Sequence, residues 1–382
     1  MAFDFDHPPD RRGSDSVKWG RYGGRDVLPL WVVDMDFAAP PAVLAALHGR
    51  VDHGVFGYGD APASLVDAVV ESLARDHAWR IDPQWIIWLP GLVTGLNVVC
   101  RAVGESGDAV LTATPVYPPF LSAPRFSGRD VITVDLVDVG NCWQWDLARL
   151  ESAITPRTRL LMLCNPHNPV GRAFTRAELT AIAEIAERHD LVICSDEIHC
   201  GLVLDERAHH VPMATLDQGI ADRCVTLMAP SKTWNIPGLG CSFAVVSNAR
   251  LRRRLLEVMR GIVPHVNVLG FAATEAAYRD GSAWREALLA YLRSNARCVL
   301  GAIARMPGLS SWPVEATYLA WIDARGLGVD NPARFFEQAG VGLSDGADFG
   351  APGFVRLNFG CCRSTLEEAL ARMGRAIGNP KH

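Results

Sequence analysis

Short apolar runs alternate with amphipathic stretches through most of the chain. Seven runs have the length of buried strands, at 85–89, 109–112, 131–134, 160–164, 191–194, 225–228 and 243–246. Apolar positions with helical spacing lie between several of these runs, most clearly over 176–189, where Thr175 and Glu178 have the capping-box spacing. Because buried strands separated by helices are typical of parallel sheets, this pattern predicts an α/β domain with a mainly parallel seven-stranded sheet.

The two ends of the chain have different patterns. Residues 1–45 are rich in Asp, Arg, Gly and Pro and predict an extended arm with one short strand at 28–33. The remaining predicted helices and strands lie at 41–51, 61–77, 92–103, 282–306, 332–339 and 365–377 for helices, and at 318–322 and 354–358 for strands. We therefore expect an arm over 1–45 that joins a small α+β domain over 283–382, with the large domain over 46–282 between them.

Composition narrows the possible classes of protein. The chain has 382 residues, 49% hydrophobic and 21% charged, and its net charge is −5, so neither disorder nor a nucleic-acid or membrane partner is expected. No run of about 18 apolar residues predicts a membrane span, and the start lacks a secretory pattern. The ten cysteines include no CxxC pair. We therefore expect reduced thiols, no metal centre and a cytoplasmic protein.

Lysine is rare in this chain, which makes each one informative. Only Lys18, Lys232 and Lys381 occur among the 37 basic residues, so the others are arginines. Lys381 is next to the end and Lys18 lies in a polar opening segment. Lys232 lies between apolar runs, where burial of an ammonium group is costly, and it is therefore the candidate for chemistry.

Polar residues follow several of the predicted strands. Asn168, Asp196 and Lys232 each come just after a separate strand, 28 and 36 residues apart, which is one strand–helix–strand step each. Ligands of open α/β sheets bind beyond the carboxyl ends of the strands, so these side chains are expected to converge. Taken singly, each has a simpler interpretation as a helix cap or a turn, and only their order and spacing favour a common site.

This set of residue types suits pyridoxal 5′-phosphate. The amine of Lys232 would form a Schiff base, Asp196 would keep the pyridine nitrogen protonated, and Asn168 would donate to the phenolic oxygen. Tyr117 would stack on the ring. The phosphate would bind where Gly91 precedes a helix, to the backbone of Leu92, Val93 and Thr94.

With this order of motifs the chain resembles the fold-type-I pyridoxal-phosphate enzymes, and among them the MalY/PatB-type C–S β-lyases. The resemblance spans nearly the whole chain, through the stretches 15–19, 31–37, 56–58, 115–120, 165–171, 195–199, 231–235 and 354–360. It implies the fold of the pyridoxal-phosphate-dependent transferases, with a large domain and a smaller α+β domain.

The resemblance also implies roles for single residues. Lys232 would shuttle the α-proton, and Tyr117 would stack on the ring. Protonation of the leaving sulfur is a further role for Tyr117, and stacking alone is the simpler interpretation. Arg356 would clamp the substrate carboxylate, and the acidic arm at 34–36 would close over the site with Asp36 as a substrate-binding residue. Tyr58 would reach the phosphate bound by a neighbouring subunit, which implies a homodimer with shared sites.

Four positions depart from patterns found among relatives. Relatives of the aspartate-aminotransferase kind carry Tyr where this chain has His199, and two phosphate ligands are replaced by Ala229 and Gly240. The phosphate would then depend more on Ser231, Tyr58 and the 91–94 turn. His199 is taken as a cofactor contact, although a packed, hydrogen-bonded histidine is the simpler interpretation. Lyases often carry an acidic residue where this chain has Gly201.

The expected function is a C–S β-lyase that cleaves cystathionine or a related cysteine S-conjugate to a thiol, pyruvate and ammonia. An aminotransferase would use the same framework. A lyase or decarboxylating relative that acts on a bulky S-conjugate in specialised biosynthesis is a further alternative. A non-catalytic regulator is disfavoured because Lys232 and Asp196 are intact. The loops 207–213 and 261–269 are expected to build the pocket for the thiol side.

Overall fold

The computed structural model describes residues 3–378, so Lys381 lies outside the described residues. The α-helices are Val17–Gly20 (α1), Pro41–Asp52 (α2), Ala63–His77 (α3), Leu92–Ala102 (α4), Pro119–Phe126 (α5), Leu147–Ser152 (α6), Arg176–Arg188 (α7), Gln218–Arg223 (α8), Ala249–Met259 (α9), Val268–Asp280 (α10), Ser282–Ile303 (α11), Pro332–Gln338 (α12) and Arg363–Gly378 (α13). The β-strands are Leu28–Pro29 (β1), Ile86–Leu89 (β2), Ala109–Thr114 (β3), Asp130–Asp135 (β4), Val137–Asp138 (β5), Trp143–Gln144 (β6), Thr158–Cys164 (β7), Val192–Asp196 (β8), Cys224–Met228 (β9), Ser242–Val245 (β10), Ser310–Ser311 (β11), Leu319–Asp323 (β12), Val341–Gly342 (β13), Ser344–Asp345 (β14) and Phe354–Asn358 (β15).

The seven predicted central strands form one sheet. Its order is β2-β10-β9-β8-β7-β3-β4, and β10 alone runs antiparallel to both of its neighbours. The neighbouring pairs from β9 to β4 are parallel. The predicted α/β fold class with a mainly parallel seven-stranded sheet is therefore confirmed.

Helices cover both faces of this sheet because successive residues of each strand point to opposite sides. In β7, Leu160 and Met162 pack in the cluster that contains α4, whereas Leu161 and Leu163 pack in the cluster that contains α7. The predicted capping box opens α7, since the Thr175 side chain accepts from the Glu178 N–H and the Glu178 carboxylate accepts from the Thr175 N–H.

A second sheet lies towards the C-terminus, with the order β11-β12-β15-β14 and antiparallel pairing. In this sheet Trp321 of β12 is opposite Arg356 of β15, which places the guanidinium on a buried strand. The arm is joined to the same part of the chain, because β1 pairs in parallel with β13. The boundaries at residues 45 and 282 remain predictions.

The predicted arm strand at 28–33 is too long, since only Leu28–Pro29 forms a strand. The reason is that the carbonyls beyond Leu30 accept from side chains instead of from a neighbouring strand. The Trp31 carbonyl accepts from Arg356 and Ser344, and the Val32 carbonyl accepts from Asn358. No helix within residues 3–378 is long and apolar enough to cross a membrane, and all ten cysteines are unpaired.

Candidate active site

A cavity of about 210 Å³ lies at the carboxyl ends of the central strands. The predicted site residues that line it are Leu92, Val93, Thr94, Tyr117, Asn168, Asp196, His199, Ser231 and Lys232. They come from the ends of β3, β7, β8 and β9 and from the start of α4. The convergence expected from chain order is therefore present in the fold. Three other predicted residues, Arg356, Tyr58 and Asp36, are not among the residues that line the cavity.

Lys232 presents a half-buried side chain to this cavity. Burial lowers the pKa of Lys232 to about 8, and the Arg356 charge acts in the same direction, whereas Asp34 and Asp196 oppose the shift. Its Nζ donates to the Val33 carbonyl at 2.6 Å. An amine with a pKa near neutrality can exchange a proton at physiological pH, which an ordinary surface lysine does rarely.

Asp196 ends β8 on the strand next to the one that precedes Lys232. Burial raises the pKa of its carboxyl to about 7, and the neighbouring Glu197 charge adds to this, while the Ile198 N–H and Lys232 oppose it. The Ile198 N–H donates to Asp196 Oδ1 at 3.1 Å. A buried carboxyl with a pKa near 7 would be held in its ionised form by a cation beside it, such as a protonated ring nitrogen.

Asn168 connects the cavity to Arg356. Arg356 donates from Nη1 to Asn168 Oδ1 at 2.9 Å, and from Nη2 to the Trp31 carbonyl at 2.8 Å. A guanidinium can only donate, so the Asn168 oxygen is occupied and its NH₂ group remains available to the cavity. Arg356 also lies over the Phe349 ring at 4.6 Å from the centroid, which fixes the plane of the guanidinium.

The start of α4 forms one wall of the cavity. Gly91 precedes the helix, its backbone is extended, and no atom would contact a Cβ at this position. The first N–H groups of the helix have no partner within the helix and carry its positive dipole end, so this wall suits an anion. Among the described lining residues, Lys232 is the single cationic side chain.

The departures at Gly240 and Gly201 have steric explanations. Gly240 has φ +56°, and a Cβ there would lie 3.1 Å from the Pro90 carbonyl oxygen. At Gly201 a Cβ would lie 2.5 Å from Thr233 Oγ1, so Thr233 occupies the space that a larger side chain needs. The acidic residue that some lyases carry at this position is therefore excluded by the residue that follows Lys232.

His199 faces the cavity and is uncharged at neutral pH. Burial lowers its pKa to about 3, and the charges of Lys232 and Arg356 add to the shift. Its Nδ1 is buried without a hydrogen-bond partner among the described residues. The structure thus shows a packed histidine with an unused nitrogen, instead of the fully hydrogen-bonded one in the simpler interpretation.

Tyr58 lies apart from the cavity of its own subunit. Its side chain is fully exposed, and Val55 and Phe56 beside it are also exposed. The loop borders a surface depression that is lined on the other side by residues 264–269. Within one chain Tyr58 therefore contributes nothing to the cavity, and its predicted role requires a second subunit.

Asp36 is placed differently from the sequence-based expectation. It is buried and accepts hydrogen bonds from Lys18 at 2.9 Å, Arg11 at 3.0 Å and Trp19 at 3.0 Å. Because its carboxylate already accepts from three donors of the arm, Asp36 is held within the arm, and the structure does not place it at the cavity. Lys18, interpreted as a residue of a polar segment, is instead completely buried.

Sequence reasoning missed several residues of the site. Cys164 lines the cavity and is the last residue of β7, so the rule that found Asp196 could have found it. Val33 also lines the cavity, but it comes from the arm, where no periodic pattern marks an inward-facing position. Glu197 is a further buried charge behind Asp196, and it is bonded to His210 at 2.7 Å.

Comparison with known proteins shows the family of this chain. The family of aminotransferases class I and II matches residues 25–373. The chain belongs to this family. Cystathionine beta-lyase PatB of Bacillus subtilis is 36% identical over 98% of this chain and 99% of its own length.

Solved structures of related proteins have the same fold as this chain. The crystal structure of OvoB has 48% identity and a TM-score of 0.96, covering 98% of this chain and 99% of OvoB. Cystalysin from Treponema denticola has 31% identity and a TM-score of 0.96, covers both chains fully, and contains a pyridoxal 5′-phosphate cofactor. The resemblance, the fold and the cofactor inferred from the sequence are thereby confirmed, and the protein is a pyridoxal-phosphate-dependent enzyme.

The residues present fit this cofactor. The cavity offers a titratable amine, a buried carboxyl, a free amide NH₂ and a helix start, which match the aldehyde, ring nitrogen, phenolic oxygen and phosphate. The unused His199 nitrogen is a further buried polar atom that a bound group could satisfy.

Proposed function

We propose that the protein is a C–S β-lyase that acts on L-cystathionine or a related cysteine S-conjugate. The substrate R–S–CH₂–CH(NH₃⁺)–COO⁻ and one water would give the thiol RSH, pyruvate and ammonium. The observation that carries the proposal is the half-buried Lys232 amine, with its lowered pKa, in one cavity with Asp196. The relationship to PatB, named as a cystathionine beta-lyase, supports this choice of reaction.

When bound, pyridoxal phosphate supplies an electron sink that makes the Cα–H of an amino acid acidic. Lys232 would hold the cofactor at its aldehyde, and Asp196 would pair with its ring nitrogen. The Asn168 NH₂ group would donate to the phenolic oxygen, the ring would lie against Tyr117, and the start of α4 with Ser231 would take the phosphate.

Lys232 would then accept the proton from Cα. Its pKa of about 8 leaves part of the amine neutral at pH 7, which a general base requires. Departure of the β-sulfur as a thiol requires a proton donor on the same side. Tyr117 is suited to this, because burial raises the pKa of its hydroxyl and keeps the proton in place until the sulfur takes it.

Arg356 would bind the substrate carboxylate. It is buried, donates to Asn168 of the cavity lining, and carries an Nε without a partner among the described residues. Burial lowers the pKa of Arg356 to about 10, so it stays charged at neutral pH. Two parallel N–H donors match a carboxylate, which an ammonium group does less well.

The variant Arg356→Lys is expected to raise KM for the amino acid roughly tenfold to a hundredfold, while kcat falls less. The physical reason is the loss of one charge-assisted hydrogen bond, worth about 1.5–3 kcal/mol, from ground and transition state alike. Steady-state kinetics of pyruvate release measure this split. An unchanged KM would contradict the assigned role, and Arg334→Lys on the exposed side of α12 is the matched control.

An aminotransferase is the second candidate, because the matching family carries that name and the same residues serve both reactions. The two reactions differ in their products. The deciding experiment supplies cystathionine, cystine and S-alkyl cysteines with and without a keto acid. Release of pyruvate and thiol without keto acid is expected, whereas an amino acid formed from the keto acid would favour transamination.

A homodimer with shared sites is part of the proposal. The exposed apolar side chains Val55, Phe56 and Tyr58 beside the 264–269 segment support it, since such patches often mark interfaces. Tyr58 would donate to the phosphate in the partner's cavity. A cytoplasmic location remains a prediction.

The variant Tyr58→Phe is expected to weaken cofactor retention without unfolding the protein. Loss of one hydrogen bond to a charged acceptor, about 1.5–3 kcal/mol, raises the cofactor's Kd roughly tenfold to a hundredfold. Equilibrium dialysis measures the Kd, and sedimentation measures the dimer. Equal retention, or an active monomer, would show that Tyr58 is not a shared-site ligand.

A further inference from the structure

A buried ion cluster, defined as Lys18, Asp34, Asp36 and Arg11, lies in the arm. Lys18 Nζ is 2.9 Å from Asp36 Oδ2 and 3.8 Å from Asp34 Oδ1, and Arg11 bonds Asp34 Oδ2 at 2.8 Å and Asp36 Oδ1 at 3.0 Å. The cluster holds two cations and two anions, so its formal charge is balanced. The Lys18 side chain is completely buried, whereas that of Arg11 is a quarter exposed.

The cluster is attached directly to the active site through the arm backbone. Lys18 Nζ donates to the Asp34 carbonyl at 3.3 Å, and the carbonyl one residue earlier, that of Val33, accepts from Lys232. The Val33 carbonyl also accepts from the Tyr318 hydroxyl at 3.3 Å. A change in the cluster therefore reaches Lys232 through the backbone of one residue, Asp34.

The cluster also reaches Lys232 through charge. Asp34 Oδ1 is buried and accepts no hydrogen bond from the described residues, whereas Oδ2 accepts from Arg11. The Asp34 carboxylate favours the protonated form of Lys232. Two cations oppose this carboxylate at short range, and of these Lys18 is the one that is completely buried.

The other titratable or charged groups around Lys232 also influence its protonation. The titratable or charged side chains that face it are Asp34 from the arm, Arg356 from β15, Asp196 and His199 from the end of β8, and Tyr117 after β3. None of the last four is bonded to Lys18, so replacement of Lys18 leaves their contacts in place.

We propose that Lys18 is a positioning residue of the active site, which holds the arm against Lys232 and cancels the arm's negative charge there, so that Lys232 can be neutral when it takes up the cofactor. The proposal rests on the proposed role of Lys232, but not on the lyase reaction, because cofactor uptake needs no substrate. Lys18 would act through Val33 and Asp34 and would touch neither cofactor nor substrate.

The test follows uptake of pyridoxal phosphate by the apo protein across pH, by the absorbance change on attachment. In Lys18→Met the uncompensated carboxylates are expected to raise the apparent pKa of uptake by about one unit, which is about tenfold slower uptake at pH 7. Arg12→Met removes an exposed cation of the same arm, paired with Asp10, and is expected to leave the profile unchanged.

Two further variants separate charge from packing. Lys18→Met/Asp36→Asn removes one charge of each sign, and its profile is expected to return towards that of the wild type. Asp34→Asn keeps the volume of the side chain and is expected to shift the profile in the opposite direction, to lower pH. This variant tests the proposal even if Lys18→Met does not fold. A wild-type profile in Lys18→Met, an equal shift in the double variant, or an unshifted Asp34→Asn would overturn the proposal. Unimpaired attachment in Lys232→Ala would instead overturn the proposed function.

Discussion

Replacement of Lys232 by alanine is expected to abolish pyruvate release, with a loss of at least about 10³-fold in kcat/KM. The variant loses both the amine that holds the cofactor and the base that takes the Cα proton, and general base catalysis alone contributes roughly 10²–10⁴-fold. No other amine can replace it, since Lys232 is the single cationic side chain among the described residues that line the cavity. Coupled detection of pyruvate measures the loss.

Lys232→Arg separates the proton-transfer role from charge. A guanidinium keeps a positive charge close to Asp196 and can still donate to the Val33 carbonyl, but it cannot give up its proton near neutral pH. It is therefore expected to be as inactive as the alanine variant. Turnover by either variant within tenfold of the wild type would contradict the assignment of Lys232 as the base.

The parts of the site that could be read from the sequence are those carried by strand ends. Asn168, Asp196 and Lys232 follow apolar runs that become β7, β8 and β9, and parallel strands bring their carboxyl ends to one edge. For these three residues the strand pattern of the sequence and the parallel order of the sheet lead to the same position. The prediction therefore required no knowledge of how distant segments pack.

The arm could not be predicted in the same way. Many of its contacts join side chains to backbone groups that are distant in the chain, as when Asn235 binds the backbone of Met35, 200 residues away, and such pairs leave no periodic pattern. For this reason the sequence predicts a polar segment around Lys18 and a substrate ligand at Asp36, whereas in the structure these two side chains pair with each other. Composition shows that an arm is polar, but it does not show which of its charges neutralise one another in the interior.

Replacement of Asp196 by asparagine is expected to lower turnover by orders of magnitude and, at the same time, to stabilise the apo protein at high pH. Turnover falls because an uncharged amide cannot keep the cofactor's ring nitrogen protonated, so the electron sink is lost. The cofactor can still attach, since Lys232 is intact. Retained turnover in Asp196→Asn would mean that the ring nitrogen is not held in this way.

The effect on stability follows from the raised pKa of Asp196. The ordinary value is 3.8, and burial raises the pKa to about 7 in the folded apo protein. Between these pH values the folded state retains a proton that the unfolded state has lost. The contribution of Asp196 to the free energy of unfolding of the wild type is therefore present at pH 4 and is lost as the pH rises through about 7. Asparagine has no proton to lose. The free energy of unfolding of the variant, relative to the wild type, should therefore increase by roughly 3 kcal/mol between pH 5 and pH 8.

Urea unfolding of both apo proteins at pH 5, 6, 7 and 8 measures this difference. Asp190→Asn, at a position whose side chain is 98% exposed, is the matched control and is expected to show no such trend with pH. A constant difference between Asp196→Asn and the wild type would mean that Asp196 is already ionised at pH 5, with a compensating cation beside it. An increase of this difference with pH, together with lost turnover, would show that the Asp196 carboxylate destabilises the apo fold. Its role would then be to pair, as a carboxylate, with the protonated ring nitrogen of the cofactor.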